Sequence, residues 1–336
     1  MRKKGLVGEI GDLRLASGAV LPRAALAYET LGRLTPDGRN AVLLTHGYTS
    51  SHSMAGSSEG PWNALVGPGK PIDTERYFVV SSNMLGSAHG STAPRSLNPA
   101  TGRPYGPDFP AITVADIVAA QRALLERLGV RHLAAVAGPS YGGFQAFQWA
   151  VDFPDFVDAI VPAVSAPRRP DGHDMDALEA RLARDPGWNG GHYYATGGVD
   201  ATMTDIRVET LRRYGIEADL MARFPDPAAR DAEIRRIAGG WARAFDANSL
   251  LVLGRALLDF DLTPRFPSIR ARVLYALSRT DSVFPPTLAP GVMAALRAAG
   301  VRATYVEIDS ELGHMASGAD AAKWAPALAA FMAEAG

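Results

Sequence analysis

The sequence predicts an α/β protein: a mostly parallel, doubly wound sheet with an inserted helical lid. Three observations carry this. Short apolar runs alternate with segments of helical period up to about residue 167, the alternation stops between Arg168 and about Thr263, and it resumes at Ala271. Parallel strands need a long crossover, usually a helix, so strand-helix alternation points to a parallel sheet. At 336 residues the chain exceeds the ~100–200 residues usual for one domain. We expect one core, residues 1–167 and 264–336, interrupted by a helical lid at 168–263.

The elements follow in order. "GDLRLASGAVLPRAALAYETLG" alternates apolar and polar residues on both sides of "ASG", as an antiparallel hairpin at a sheet edge does. "NAVLLTHGYTSS" and "RYFVVSSNMLG" are continuous apolar runs ending in small polar residues, the form of strands buried on both faces. From Val114 to Leu128, apolar residues recur at helical spacing behind Thr113, a candidate N-cap. "LAAVAG" reads as a strand, Tyr141 to Val151 as a helix and "AIVPAVSAP" as a strand. After the lid come the strand Ala271–Ser278, a helix from about Pro290 to Ala299, the strand Ala303–Asp309 and a final helix from about Ala319 to Ala335.

Composition bounds the function. Hydrophobic residues make up 47% and charged residues 21%, enough apolar surface for a sizeable core. A formal net charge of −1 supplies no basic field for nucleic acid or an anionic membrane, and neither partner is expected. The chain has no cysteine, so any covalent nucleophile must be another residue. Its start lacks the apolar stretch of a secretory signal, and no run is long enough to cross a membrane, so a cytoplasmic protein is expected.

The motif that carries chemistry is "GPSYG", Gly138 to Gly142, between the strand "LAAVAG" and an amphipathic helix. It fits G-x-S-x-G in the strand-turn-helix context that gives the pattern meaning, with Ser140 lifted into solvent at a helix N-terminus. Gly138 and Gly142 remove Cβ atoms where the turn is crowded, and Gly143 lets the helix approach the sheet. A serine hydroxyl needs a base and an orienting carboxylate. His314 follows one strand, in "ELGHMASG", and Asp281 follows the preceding one, in "SRTDSVFPP". The chain order Ser140, Asp281, His314 is that of an α/β-hydrolase. Asp309 competes with Asp281, but it lies at the end of its strand and points less freely. The backbone N–H groups of Tyr48 and Tyr141 are the expected oxyanion hole. His46 has no partner at ligand spacing and reads as a structural loop residue. No metal and no cofactor are expected.

"SSNMLGSAHGSTAPRSLNPATGRPYGPDFPAITVADIV", "GPSYGGFQAFQWA", "RDPGWNGGHYY", "FDANSLLVLGRALLDFDL", "RTDSVFPP" and "SELGH" resemble, in order and over most of the chain, blocks of the homoserine O-acetyltransferase family of α/β-hydrolases. The resemblance implies the fold, the helical lid and the Ser140, Asp281, His314 triad. The family's acetyltransferases usually carry an Asp directly after the catalytic His, suited to the amino group of homoserine; this chain has Met315, and a thioether cannot neutralise an ammonium ion. Met is also usual where Tyr141 stands, and "VDATMTDIRVETLRRYG" departs from the usual lid segment. These departures point to the family's esterase-like relatives. Hydrolysis of short-chain acetate-type esters is therefore the first expectation, with a small-molecule ester as substrate, and acyl-CoA-dependent O-acyl transfer the alternative. A homodimer formed through the lid is a further expectation. Trp188, Trp241, Tyr193 and Tyr194 read as lid packing ahead of lining the entrance, and Arg207, Arg212 and Arg213 as a solvated helix face ahead of contacts to an anionic substrate.

Overall fold

The computed structural model describes residues 2–56 and 60–334. Among the described residues ten strands, β1 (Arg2–Arg14), β2 (Val20–Leu31), β3 (Ala41–Leu44), β4 (Val66–Gly67), β5 (Ile72–Asp73), β6 (Phe78–Ser82), β7 (Leu133–Pro139), β8 (Ala159–Ala163), β9 (Arg272–Ser278) and β10 (Ala303–Ile308), are interleaved with ten helices. Eight strands form the main sheet in the order β1-β2-β6-β3-β7-β8-β9-β10, and β4 and β5 pair separately. β1 pairs antiparallel with β2, and β2 with β6. Every other neighbouring pair in the main sheet is parallel. The predicted hairpin thus lies at one edge of a mostly parallel sheet.

The apolar runs are continuous because both sheet faces are covered. Leu43, Val80, Val136, Ile160 and Val273 face a core shared with α1 (Val114–Arg127) and α2 (Tyr141–Asp152). Val42, Leu44, Val79, Ala137, Val161 and Leu274 face the opposite core, capped by Trp62, Trp324 and Leu328. Each fully buried Val or Leu contributes ~1.5–3 kcal/mol relative to exposure. Thr113 does cap α1: its hydroxyl accepts from the Asp116 amide at 3.2 Å, and the Asp116 carboxylate accepts the Thr113 amide at 2.8 Å.

Between β8 and β9 the chain adds α3 (Met175–Ala183), α4 (Asp200–Tyr214), α5 (Ile216–Leu220), α6 (Pro227–Ala244) and α7 (Ala247–Arg255), none of which joins the sheet. It enters and leaves this stretch side by side, with the Leu262 amide donating to the Pro167 carbonyl at 2.9 Å and Arg169 pairing with Phe260 at 3.0 Å. Val208, Leu211, Ile216, Leu220, Ile234 and Ala238 give α4, α5 and α6 a small core of their own. α8 (Ala289–Ala298) then leads to β10.

One expectation needs correction. The final helix is not continuous: α9 (Ala316–Ala319), a 3₁₀ turn and α10 (Ala325–Ala333) share the work, because Pro326 cannot supply the N–H that would extend α10 backwards. The predicted end, Ala335, lies outside the described residues. The β4–β5 ladder, two residues on each strand, was too short to show a period. Among the described residues no helix is long and apolar enough to cross a membrane.

Candidate active site

Four parallel strands deliver the predicted residues to one edge of the sheet. β7 ends at Pro139, and Ser140 takes φ 55° and ψ −121° before α2 begins. A non-glycine residue rarely holds a positive φ, so the turn is strained. The turn is crowded: a Cβ at Gly138 would come 2.2 Å from Thr45 Oγ1, and one at Gly142 2.8 Å from the Thr45 carbonyl. The Ser140 amide is tied to the Ala163 carbonyl at 2.9 Å, and its carbonyl accepts from the Ser165 hydroxyl at 2.7 Å.

Asp281 lies three residues past β9 and His314 six past β10. His314 Nδ1 donates to Asp281 Oδ2 at 2.8 Å, and both side chains are buried. Asp281 Oδ1 accepts the Val283 and Phe284 amides at 2.7 and 3.1 Å. A carboxylate only accepts, so Nδ1 carries the imidazole proton and Nε2 is left as the basic nitrogen. The ring packs between Tyr214 and Phe284, centroids 4.6 and 5.7 Å away. Asp309 is different in kind: its side chain is 85% exposed and paired with Arg279 at 2.8 Å, and it is Asp281 that bonds His314.

Ser140 and His314 line one cavity of about 670 Å³. The loop after β3 forms its next wall, with Gly47 so close that a Cβ there would sit 3.8 Å from that of Ser140. Tyr48 follows directly, and Tyr141 is the first residue of α2, whose amide has no intrahelical acceptor. The two rings stack, centroids 5.8 Å apart, and their hydroxyls donate to the Leu250 and Leu253 carbonyls of α7. Burial raises the pKa of both phenols, so they remain protonated donors. His46 is buried, accepts the Met84 amide at its Nε2, and is held by burial at a pKa of about 3, consistent with the structural role expected of it. Among the described residues no group of three or more His, Cys, Asp or Glu could hold a metal ion.

Sequence alone ranks a solvated face ahead of an anionic-substrate contact for Arg207, Arg212 and Arg213 alike, but only the last two are exposed. Arg207 and Tyr214, seven residues apart on α4, share a face and both line the cavity with Ser140. The Arg207 guanidinium lies 5.1 Å over Trp241 and donates to Thr49 Oγ1 at 2.7 Å, while Trp241 Nε1 donates to the Thr49 carbonyl at 2.9 Å. Its Nε is buried without a partner, and no carboxylate pairs with it among the described residues. Burial lowers its pKa. Helical spacing could have separated it from Arg212 and Arg213, but only the fold shows what its face meets. Trp188 and Tyr193 are packing residues, as expected, and Tyr193 and Tyr194 both donate to the buried Asp246 carboxylate.

The family model of the alpha/beta hydrolase fold matches residues 40–318. A homoserine O-acetyltransferase of Symbiobacterium thermophilum is 40% identical over 334 residues, covering 90% of this chain and 87% of that protein. A homoserine O-succinyltransferase of Laribacter hongkongensis is 38% identical over 332 residues, with the same two coverages. Among solved structures, esterase E22 superposes with a TM-score of 0.90 at 28% identity, covering 99% of this chain and all of that one. The matched residues span every strand from β3 to β10 and both loops that carry Asp281 and His314, and with identity at this level over nine-tenths of its length the chain belongs to the homoserine O-acetyltransferase family of α/β-hydrolases.

Proposed function

We propose that this enzyme is an acyl-CoA-dependent O-acyltransferase that moves a short acyl group, acetyl or succinyl, to the hydroxyl of homoserine or a close analogue. The order of the two expectations drawn from the sequence is thereby reversed. The observation that carries this reading is Arg207: a part-buried guanidinium, its Nε buried without a partner and paired with no carboxylate among the described residues, lines the cavity that Ser140 and His314 also line. Hydrolysis of a simple acetate ester needs no cation there, whereas an acceptor bearing a carboxylate gains a charge-assisted hydrogen bond. The homoserine acyltransferase relatives at 38–40% identity support the same order.

The proposed chemistry runs in two halves. His314 Nε2 takes the Ser140 proton as Oγ attacks the thioester carbonyl, and the Tyr48 and Tyr141 amides stabilise the oxyanion. Collapse breaks the C–S bond, and the imidazolium protonates the departing CoA thiolate. His314 then takes the proton of the acceptor hydroxyl as its oxygen attacks the acyl-Ser140 ester, and returns it to Ser140 Oγ on release of the new ester. Asp281 holds the imidazole in the required tautomer throughout. The helical stretch 168–263 acts as the lid over this cavity.

Ester hydrolysis remains the second reading, favoured by Met315 beside His314 and by the likeness to esterase E22. Water would then replace the alcohol in the second half. The test is CoA release from acetyl-CoA and succinyl-CoA with and without homoserine, beside hydrolysis of a chromogenic acetate ester. We expect homoserine-dependent CoA release to exceed ester hydrolysis. Rapid ester hydrolysis with no homoserine-dependent CoA release would put the hydrolase reading first.

A further inference from the structure

The cavity wall contributed by the helical stretch carries both signs of charge. Arg207 comes from α4, and Asp219 and Arg223 from α5 and the turn after it; among the described residues Asp219 is the only carboxylate on the lining. α5 starts directly over the His314 turn. Gly215 ends α4 at φ 94°, a Cβ there would come 2.9 Å from the Leu312 carbonyl, and one at Gly313 would come 3.1 Å from the Tyr214 carbonyl. Met315 packs against the cluster containing Ile216 and Leu220. Ile216, Asp219 and Leu220 lie one turn apart on a common side of α5, so Asp219 emerges at the edge of the contact that Met315 makes. Its side chain is 29% exposed, and its ion-pair partner, Arg223 Nη2, is 3.7 Å away on a side chain that is 65% exposed. A loose pair of this kind is weak, which leaves the carboxylate able to take another cation.

We infer that Asp219 determines acceptor specificity by binding the ammonium group of an α-amino-acid alcohol, while Arg207 takes its carboxylate. The inference rests on the acyltransferase reading. Opposite charges on one wall complement a zwitterion, whereas Arg207 alone would accept any small hydroxy acid. Met315 contributes apolar contact to α5 and no charge, and among the described residues α5 supplies the one carboxylate on the lining.

The test compares kcat/KM for homoserine with that for 4-hydroxybutanoate, which keeps the hydroxyl and the carboxylate and lacks the amine, in the unmodified enzyme and in Asp219→Asn and Asp219→Glu. The unmodified enzyme should prefer homoserine. Asp219→Asn should cut that preference about tenfold or more, the scale of one charged hydrogen bond, through KM for homoserine and not through kcat. Asp219→Glu should restore part of it. An unchanged preference in Asp219→Asn, with homoserine still acylated, overturns the role of Asp219 and leaves the acyltransferase reading standing. Equal use of both alcohols by the unmodified enzyme overturns it without any variant. Acylation of neither alcohol, with ester hydrolysis intact, removes the acyltransferase reading and this inference with it.

Discussion

The cavity has two walls of different origin. One is the carboxyl edge of the sheet, where Ser140, Asp281 and His314 sit one to six residues past a parallel strand; backbone bonds fix Ser140 to Ala163 and Asp281 to Val283 and Phe284, and Asp281 in turn holds the His314 ring. The other is the helical wall, where Arg207, packed on Trp241, Thr49 and Tyr214, reaches the cavity from α4 with Tyr214, and Asp219 reaches it from α5. In the proposed mechanism the first wall supplies the bond-making groups and the second selects what reacts. Substitutions on the two walls should therefore separate, with turnover lost on the first and KM altered on the second.

The largest effect belongs to Ser140→Ala. Removing the proposed nucleophile should lower both acyl transfer and ester hydrolysis by several orders of magnitude at unchanged far-UV circular dichroism. Activity retained within tenfold would move the nucleophile elsewhere. A serine-directed phosphonate should label the unmodified enzyme at Ser140 and leave the variant unlabelled.

Next is the contrast between two aspartates. Asp281→Asn would favour the wrong imidazole tautomer and should cost ~10³–10⁴ in rate. Asp309→Asn breaks only an exposed pair with Arg279, of a kind worth ~0–1 kcal/mol, and should leave turnover within about twofold. The reverse ranking in kcat would overturn the assignment of Asp281.

The first wall was legible in the sequence because its signals are local. G-x-S-x-G between a strand and a helix, and an acid and a histidine just past two later strands, fix positions within a few residues of an element end, and the fold brings them together. The second wall was not. Arg207, Arg212 and Arg213 look alike on paper; what distinguishes them is that α4 turns the side of Arg207 and Tyr214 to the cavity, a fact set by the Val208 and Leu211 contacts to α6. The same holds for the β4–β5 ladder and the break before α10, where two-residue strands and a single proline override any periodic pattern.

Arg207→Met sharpens the comparison from the helical side. It keeps much of the stem's packing on Trp241 and removes the charge. Loss of a charged hydrogen bond to an acceptor carboxylate, ~1.5–3 kcal/mol, should raise KM for homoserine by ~10–100-fold. Formation of the acyl-enzyme from a neutral chromogenic acetate should change far less, because that step does not involve the acceptor. A parallel fall in both would place Arg207 in holding the lid and not in binding the acceptor.

The smallest effect is expected at the seam of the two walls. Met315 follows His314 on the sheet side yet packs against the α4–α6 cluster on the other. Met315→Asp would set a carboxylate beside the base, but it would also place a charge against Ile216 and Leu220 and remove the apolar contact that seats α5. If Asp219 already meets the ammonium, the second carboxylate should lower KM for homoserine by less than about threefold, below the ~1.5 kcal/mol floor of a new charged hydrogen bond, and the melting temperature should fall. The informative case is the double variant. With Asp219→Asn removing the native partner, Met315→Asp should recover a measurable part of the homoserine preference over 4-hydroxybutanoate, because the ammonium then has a carboxylate on the sheet side instead. A large gain from Met315→Asp alone would mean that the unmodified cavity lacks an ammonium partner, and would restore ester hydrolysis as the first reading.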